Sequence, residues 1–408
     1  MTPPSGATTL AVFDRWRREP YSVFFIEGAI LAWGGVLHWF LHSIALLPDY
    51  RPVFHSITQI QGFLTCFALG FLYTAIPGRT GTPPPSRAQL ALGLIAPPIV
   101  TISGWYQAWV LSQTTWLILA ATLLWFVASR FVAPDAGRRP PAGFVWIPFS
   151  ILLGVTGSAA IAAYGIRGGE PFWLHELGRL ALLQGCFLGL VLGAGSLALP
   201  LLTQGQGPPD ASRKDRWRWP LYALASAALV GSFWLEVFVS VRLAYGLRGA
   251  IVLAVLLEGA GIRRFPTVPG RHRRVLWLSA WMLPAGYLLG SIFPEAKKGA
   301  LHIGLIGGFA MMAFTVGMHV ALAHSGHQRL VRGRSWQPLA FGICFISAAV
   351  LRFAADLDRA HFLQWIGAAA LLFLAGTLAW AHLLVPHLNI RGAGAPAVAE
   401  SNPVDSAR

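Results

Sequence analysis

Residues Leu301 to Gly326, LHIGLIGGFAMMAFTVGMHVALAHSG, contain no Asp, Glu, Lys or Arg. An uncharged run of this length can cross a hydrocarbon core of about 30 Å as a single helix. In lipid every backbone polar group must be satisfied internally, so the choice is between helices and closed barrels. The run nevertheless holds His302 near one end and His319 and His324 near the other. At 1.5 Å of rise per residue, His302 and His319 stand about 25 Å apart along a helix. One span therefore brings imidazoles to both faces of a membrane, where ionisable groups are costly and mark function.

The rest of the chain is of the same kind. It is 55% hydrophobic and 12% charged, with a mean hydropathy of +0.58. Twelve helices are expected, near 22–47, 55–77, 88–108, 112–132, 143–165, 174–202, 217–239, 243–260, 275–293, 299–323, 338–355 and 362–386. Prolines punctuate them, at Pro48 and Pro52, Pro83 to Pro85, Pro140 and Pro141, Pro208 and Pro209, and Pro266 and Pro269. The fold class is all-α, a polytopic membrane domain over 22–388. A polar N-terminal segment, 1–21, precedes it, and a small, polar, disordered tail, 389–408, follows. No cleavable leader is expected, because residues 1–20 are polar and the first apolar run is long enough to span. Cys66, Cys186 and Cys344 lie in apolar runs without CxxC spacing, so neither a disulfide framework nor a zinc site is indicated.

The net charge of +15 does not point to nucleic acid, because the basic residues sit in short segments between apolar runs. With both termini cytoplasmic, the outer segments hold only Arg51, Arg167, Arg179, Arg242, Arg248, Lys297, Lys298, Arg352 and Arg359 of the 31 Lys and Arg. That is the asymmetry of the positive-inside rule.

A weak repeat of 123 residues relates Pro48, Pro171 and Pro294, and likewise Gly62, Gly185 and Gly308; Gln61 with Gln184 and Pro77 with Pro200 share the register. Such a period implies three four-helix units, near 22–142, 143–273 and 274–388, about a pseudo-threefold axis. That arrangement resembles the catalytic subunit of heme–copper oxidases, in which helices two, six and ten supply metal-ligand histidines.

With this topology the histidines form two layers. His38, His42, His55, His175, His302 and His361 mark the outer face, with one at the head of each of helices two, six and ten. His319, His324, His327, His382 and His387 lie at the inner face and His272 in an inner loop; His272, His327 and His387 are expected to be solvated loop residues. Neutral imidazole is a ligand for heme iron and for copper, although a His at a membrane interface also serves as a snorkelling or capping residue. Gly185, Gly189 and Gly193, and Gly304 with Gly308, make ridges that let helices approach closely. Glu27 and Glu236 lie within apolar runs, as proton-relay or substrate groups. Glu258 is expected beside Arg263 and Arg264.

Three stretches resemble the NnrS family of membrane heme–copper proteins. They are PYSVFFIEGAILA (Pro20 to Ala32), FHSITQIQGFLTCFALGFLYTAIPGRTGTPP (Phe54 to Pro84) and HIGLIGGFAMMAFTVGMHVALAHSG from His302. His55, His302 and His324 match family positions. Ile57 and Thr58 stand where the family has a second His and a Glu, Ser22 replaces an Arg, and His319 stands where many members carry Arg. The resemblance implies an inner-membrane protein containing heme b and copper, linked to denitrification, nitric oxide and nitrosative stress.

Together these readings give His55, His302, His319 and His324 as cofactor-binding residues. His38, His42 and His175 are candidates for a second metal, which the resemblance implies to be copper. Two other functions stay open. One is a secondary transporter of a small solute. The other is a nitric oxide reductase or oxidase, against which stands the lack of an adjacent His-His pair or a His-Pro-Glu-x-Tyr run.

Overall fold

A computed structural model describes residues 5–131, 141–208 and 217–388, so the expected tail at 389–408 lies outside the described residues. The described chain is helical throughout. A helix at Ser5–Arg18 leads into the first span, Tyr21–Ser43, by way of Pro20. The following spans are Pro52–Thr80, Arg87–Trp105, Trp109–Arg130, Ala142–Ile166, Phe172–Gln204 and Arg218–Phe238. After a further helix at Val241–Gly259 come Arg271–Ile292, Pro294–His324, Gln337–Leu357 and Arg359–His387.

Eleven of the described helices are long and apolar enough to cross a membrane, one fewer than expected. The exception is the eighth in order, Val241–Gly259. It has a span's length, 19 residues, but carries Arg242, Arg248 and Glu258. It packs between the seventh and ninth helices as the others do. Large apolar side chains such as Ile30, Trp125, Leu224 and Leu378 are more than half exposed on the outside of the bundle. So extensive an apolar exterior is the mark of a surface made for lipid.

Local sequence sets the helix ends. Ser86 and Gln89 form a reciprocal capping box at the start of the third span, satisfying two donors that the first turn leaves open. Gly81 and Gly205 end the second and sixth spans in the left-handed conformation, φ 70° and 73°, which glycine adopts without steric cost. Pro77, Pro97, Pro98, Pro200 and Pro284 sit inside helices, as membrane spans tolerate where neighbouring groups re-satisfy the backbone.

The expected glycine ridges are packing surfaces. Cβ atoms on Gly185, Gly189 and Gly193 would fall 2.9, 2.5 and 2.7 Å from Leu153, Ser150 and Ile147 of the fifth span. Gly304 and Gly308 turn the same way to Leu283 of the ninth. The last two spans form a hairpin, and the twelfth returns against the first, which closes the bundle.

Three spans share one irregularity. The second widens to a π-helix at Thr58–Leu64, the sixth at Ala181–Cys186 and the tenth at Ile303–Ala310. Gly62, Gly185 and Gly308 each fall inside one of these segments. The repeated glycines of the sequence thus mark the place where each of these helices departs from the α form, a departure that is frequent at functional sites.

Candidate functional site

His55 lies in the first turns of the second span and His302 in those of the tenth. Both stand immediately ahead of a π-helical segment. Their rings are 6.3 Å apart, centre to centre, and within 15° of parallel. Each Nδ1 lies 2.7 Å from a backbone carbonyl, that of Gly35 for His55 and of Lys298 for His302. A carbonyl can only accept, so both rings donate Nδ1–H and keep the Nε2 lone pair. Such backbone bonds fix the tautomer and orientation of metal-binding imidazoles.

His38 of the first span joins this pair. Its ring centre is 6.0 Å from that of His55 and 5.3 Å from that of Phe54. The side chain is 5% exposed, and neither ring nitrogen makes a hydrogen bond of good geometry. The Arg352 guanidinium is tied to the head of the tenth span, near His302. It is held by Asp356 at 2.8 Å, whose other oxygen accepts from the Gly299 N–H at 2.6 Å.

The remaining candidates are dispersed. His42 shares a helix with His38, but its Nδ1 bonds to Leu47 O at 2.9 Å and its ring lies against Tyr50. His175, at the head of the sixth span, packs between Tyr164 and Phe172 beside Glu176. His38, His42 and His175 therefore do not form one donor set. Among the described residues no group of three or more His, Cys, Asp or Glu is placed to hold a metal ion.

At the other end of the tenth span, His319 has a partner that spacing did not suggest. Its Nδ1 is 3.2 Å from Nε2 of His272, with the rings 5.4 Å apart. His272 is not a solvated loop residue. It is the second residue of the ninth span and 4% exposed. His324 faces the ring of Tyr21 at 5.2 Å and bonds to Val320 O. His327 and His387, also expected to be solvated, lie ring to ring at 4.2 Å.

Three further polar groups were only partly legible. Arg248 is fully buried, 0% exposed, in the eighth helix. Its Nε donates to Ser232 Oγ at 3.0 Å, one terminal nitrogen to Gln184 Oε1 at 2.6 Å, and the other to Ser232 O and Glu236 Oε2 at 3.2 and 3.0 Å. Lys297 reaches the second oxygen of Glu236 at 3.2 Å. Glu236 is thus an ion-pair residue. Glu27, by contrast, has both oxygens shut off from solvent, and the Cys66 thiol lies beside them. Glu258 pairs with Arg218 at 3.2 Å and accepts from Tyr222 at 2.9 Å, rather than meeting Arg263 and Arg264.

The family model for NnrS protein matches residues 15–390, nearly the whole chain. The chain belongs to the NnrS family. No curated protein matches it. The match spans every described helix from the first span onward, so the His55–His302 pair, its carbonyl anchors and the three π-helical segments all lie within the region that defines an NnrS protein.

The donor set can be tested against the group that the family implies. His55 and His302, with ring centres 6.3 Å apart and each Nδ1 anchored on a carbonyl, are the residues that would hold it. A heme would ask the protein for only one or two ligands. Heme iron is commonly held by histidine. Two anchored imidazoles with free Nε2 atoms and a nearby guanidinium suit a heme better than a bare ion, which would need three or four protein donors.

Proposed function

We propose that this protein is a heme-binding member of the nitric oxide response, seated in the bacterial inner membrane with both termini cytoplasmic. One observation carries the reading. Two imidazoles from spans 247 residues apart in sequence meet at one end of the bundle, each oriented by a carbonyl so that Nε2 is free. His55 and His302 would hold the iron of heme b. Arg352, with Lys298 at the same end, would meet the propionates, since guanidinium binds carboxylates in paired hydrogen bonds. His38 would contribute a third imidazole to the same pocket. The orientation rests on the distribution of Lys and Arg.

When bound, ferrous heme would supply iron that takes up nitric oxide as one of the two imidazoles gives way. The chain's own residues do the rest. The Gly35 and Lys298 carbonyls accept Nδ1–H and raise the basicity of the coordinating nitrogens. Phe54 and Trp39 pack about the histidines and keep their surroundings apolar. Nitric oxide dissolves in lipid and reaches such a site without crossing a polar path.

Two alternatives find less support. A secondary transporter would draw on the buried Arg248–Glu236 pair, but every nitrogen of that guanidinium is engaged by the protein. A copper-dependent reductase would need a three-His centre, and among the described residues no three His, Cys, Asp or Glu are placed to hold a metal ion. The deciding measurement is the absorbance of heme-loaded protein in detergent. Wild type should bind one heme per chain with a six-coordinate Soret band. His55→Ala and His302→Ala should each lose the band or become five-coordinate. An unchanged spectrum and heme content in both variants would refute the assignment.

A further inference from the structure

A second feature stands on the same three spans, deeper in the bundle. A cavity of about 110 Å³ lies between the second, sixth and tenth spans. Every side chain around it is apolar. The second span contributes Leu64, Phe67, Ala68, Phe71 and Leu72, at the 3–4–7–8 spacing of one helix face. The 123-residue period carries Phe67 to Leu190 and Ala313, and Phe71 to Ala194 and Gly317. All six line the cavity. Equivalent faces of three equivalent helices therefore surround one void.

Size and chemistry restrict the occupant. Pockets for drug-sized ligands begin at about 300 Å³, so neither a macrocycle nor a folded solute fits. An apolar cavity of about 150 Å³ in another protein stays dry and takes benzene or xenon. With no hydrogen-bonding side chain in its wall, this one offers water nothing. Phe71, Val191, Ala198 and Val316 keep partial exposure, so the void is not sealed from the lipid side. Leu64 comes nine residues after His55 and Phe309 seven after His302, which places the cavity roughly 10–14 Å along the helices from the histidine pair.

We infer that this axial cavity is a binding site for an apolar diatomic gas, held below the histidines on the spans that carry them. That the gas is nitric oxide rests on the function proposed above; the cavity's affinity for apolar gases does not. The probe is xenon, applied to full-length protein in detergent and followed by ¹²⁹Xe NMR. Wild type should show saturable binding at one site. The double variant Ala194→Leu/Ala313→Leu, which fills the void, should weaken binding at least tenfold while melting cooperatively. Leu190→Ala, which enlarges the void, should strengthen it, and this arm decides the matter if the filled variant does not fold. Absence of saturable binding, or equal binding in all three proteins, overturns the inference. Displacement of xenon by nitric oxide in heme-free protein supports nitric oxide as the natural occupant, and failure to displace it rejects that identification. Xenon binding by a chain that takes up no heme would sink the heme assignment and leave the cavity standing.

Discussion

Arg248 and Glu236 provide the sharpest test of the packing. Glu236→Gln keeps the shape of the side chain and removes its charge. Arg248 would then remain in the interior, 0% exposed, with hydrogen bonds to Ser232 and Gln184 but no counter-charge. Breaking a buried pair by removing one partner costs about 3–5 kcal/mol. Side-chain hydrogen bonds within membranes are worth only about 0.6 kcal/mol each on average, so the loss of charge, not of one bond, dominates. Arg248→Met should cost less, about 1–3 kcal/mol, because Glu236 keeps Lys297 at 3.2 Å, and that lysine is one-third exposed and can relax. The double variant Glu236→Leu/Arg248→Met should fall near the milder single variant, since replacing a whole buried pair by apolar groups is often neutral. The assay is reversible unfolding in mixed micelles, analysed as a double-mutant cycle. A Glu236→Gln cost within about 0.5 kcal/mol of zero, the range of an ordinary surface substitution, would refute the claim that this pair is desolvated and interdependent.

Four other outcomes follow from the geometry. His38→Leu should stabilise the heme-free protein by about 1 kcal/mol, because a buried ring without good hydrogen bonds is exchanged for an apolar side chain; thermal melts with and without heme check this, and a loss in the heme-free melt counts against the stated burial. Gly157→Leu should cost at least the 1–3 kcal/mol typical of overpacking, since even a Cβ there would lie 2.6 Å from Gly178 O and 2.7 Å from Leu182 N; differential scanning fluorimetry reads the shift. Ser86→Ala, which removes the capping box, should cost about 1 kcal/mol in the same assay. Asp14 is held below the usual carboxylate range, first by its hydrogen bond to Arg87 and then by Arg17. Its tie between the N-terminal helix and the third span is therefore present at neutral pH and is lost as pH falls through the lowered folded value. Asp14→Asn should speed tryptic cleavage at Arg15 to Arg18 at pH 7, and an unchanged rate would refute the tie.

The fold was legible because its rules are one-dimensional. Uncharged runs of span length and clustered prolines set the helices, and the eighth was placed near 243–260 despite its charges. The glycines at 62, 185 and 308 stood out by their spacing, although the π-turns in which they fall rest on backbone hydrogen bonding that no spacing displays. The His55–His302 pair was legible as two motif positions. What could not be read were contacts between distant spans. Nothing near His319 points to His272, 47 residues away, since a run of arginines at 271–274 reads as a loop. Arg248 looks like an ordinary interfacial cation until Gln184, 64 residues earlier, and Ser232 are seen around it.

The π-turns have a consequence for how such a protein can change. A π-turn holds one residue more than the α-turn it replaces, so the surplus is taken up within the turn and the helix keeps its phase on either side. A single deletion inside Thr58–Leu64 can therefore be absorbed by return to the α form, whereas a deletion in the regular helix that follows would turn everything before it by about 100°, His55 included. The three widened turns are thus the places where these spans can lose a residue without re-aiming their heads.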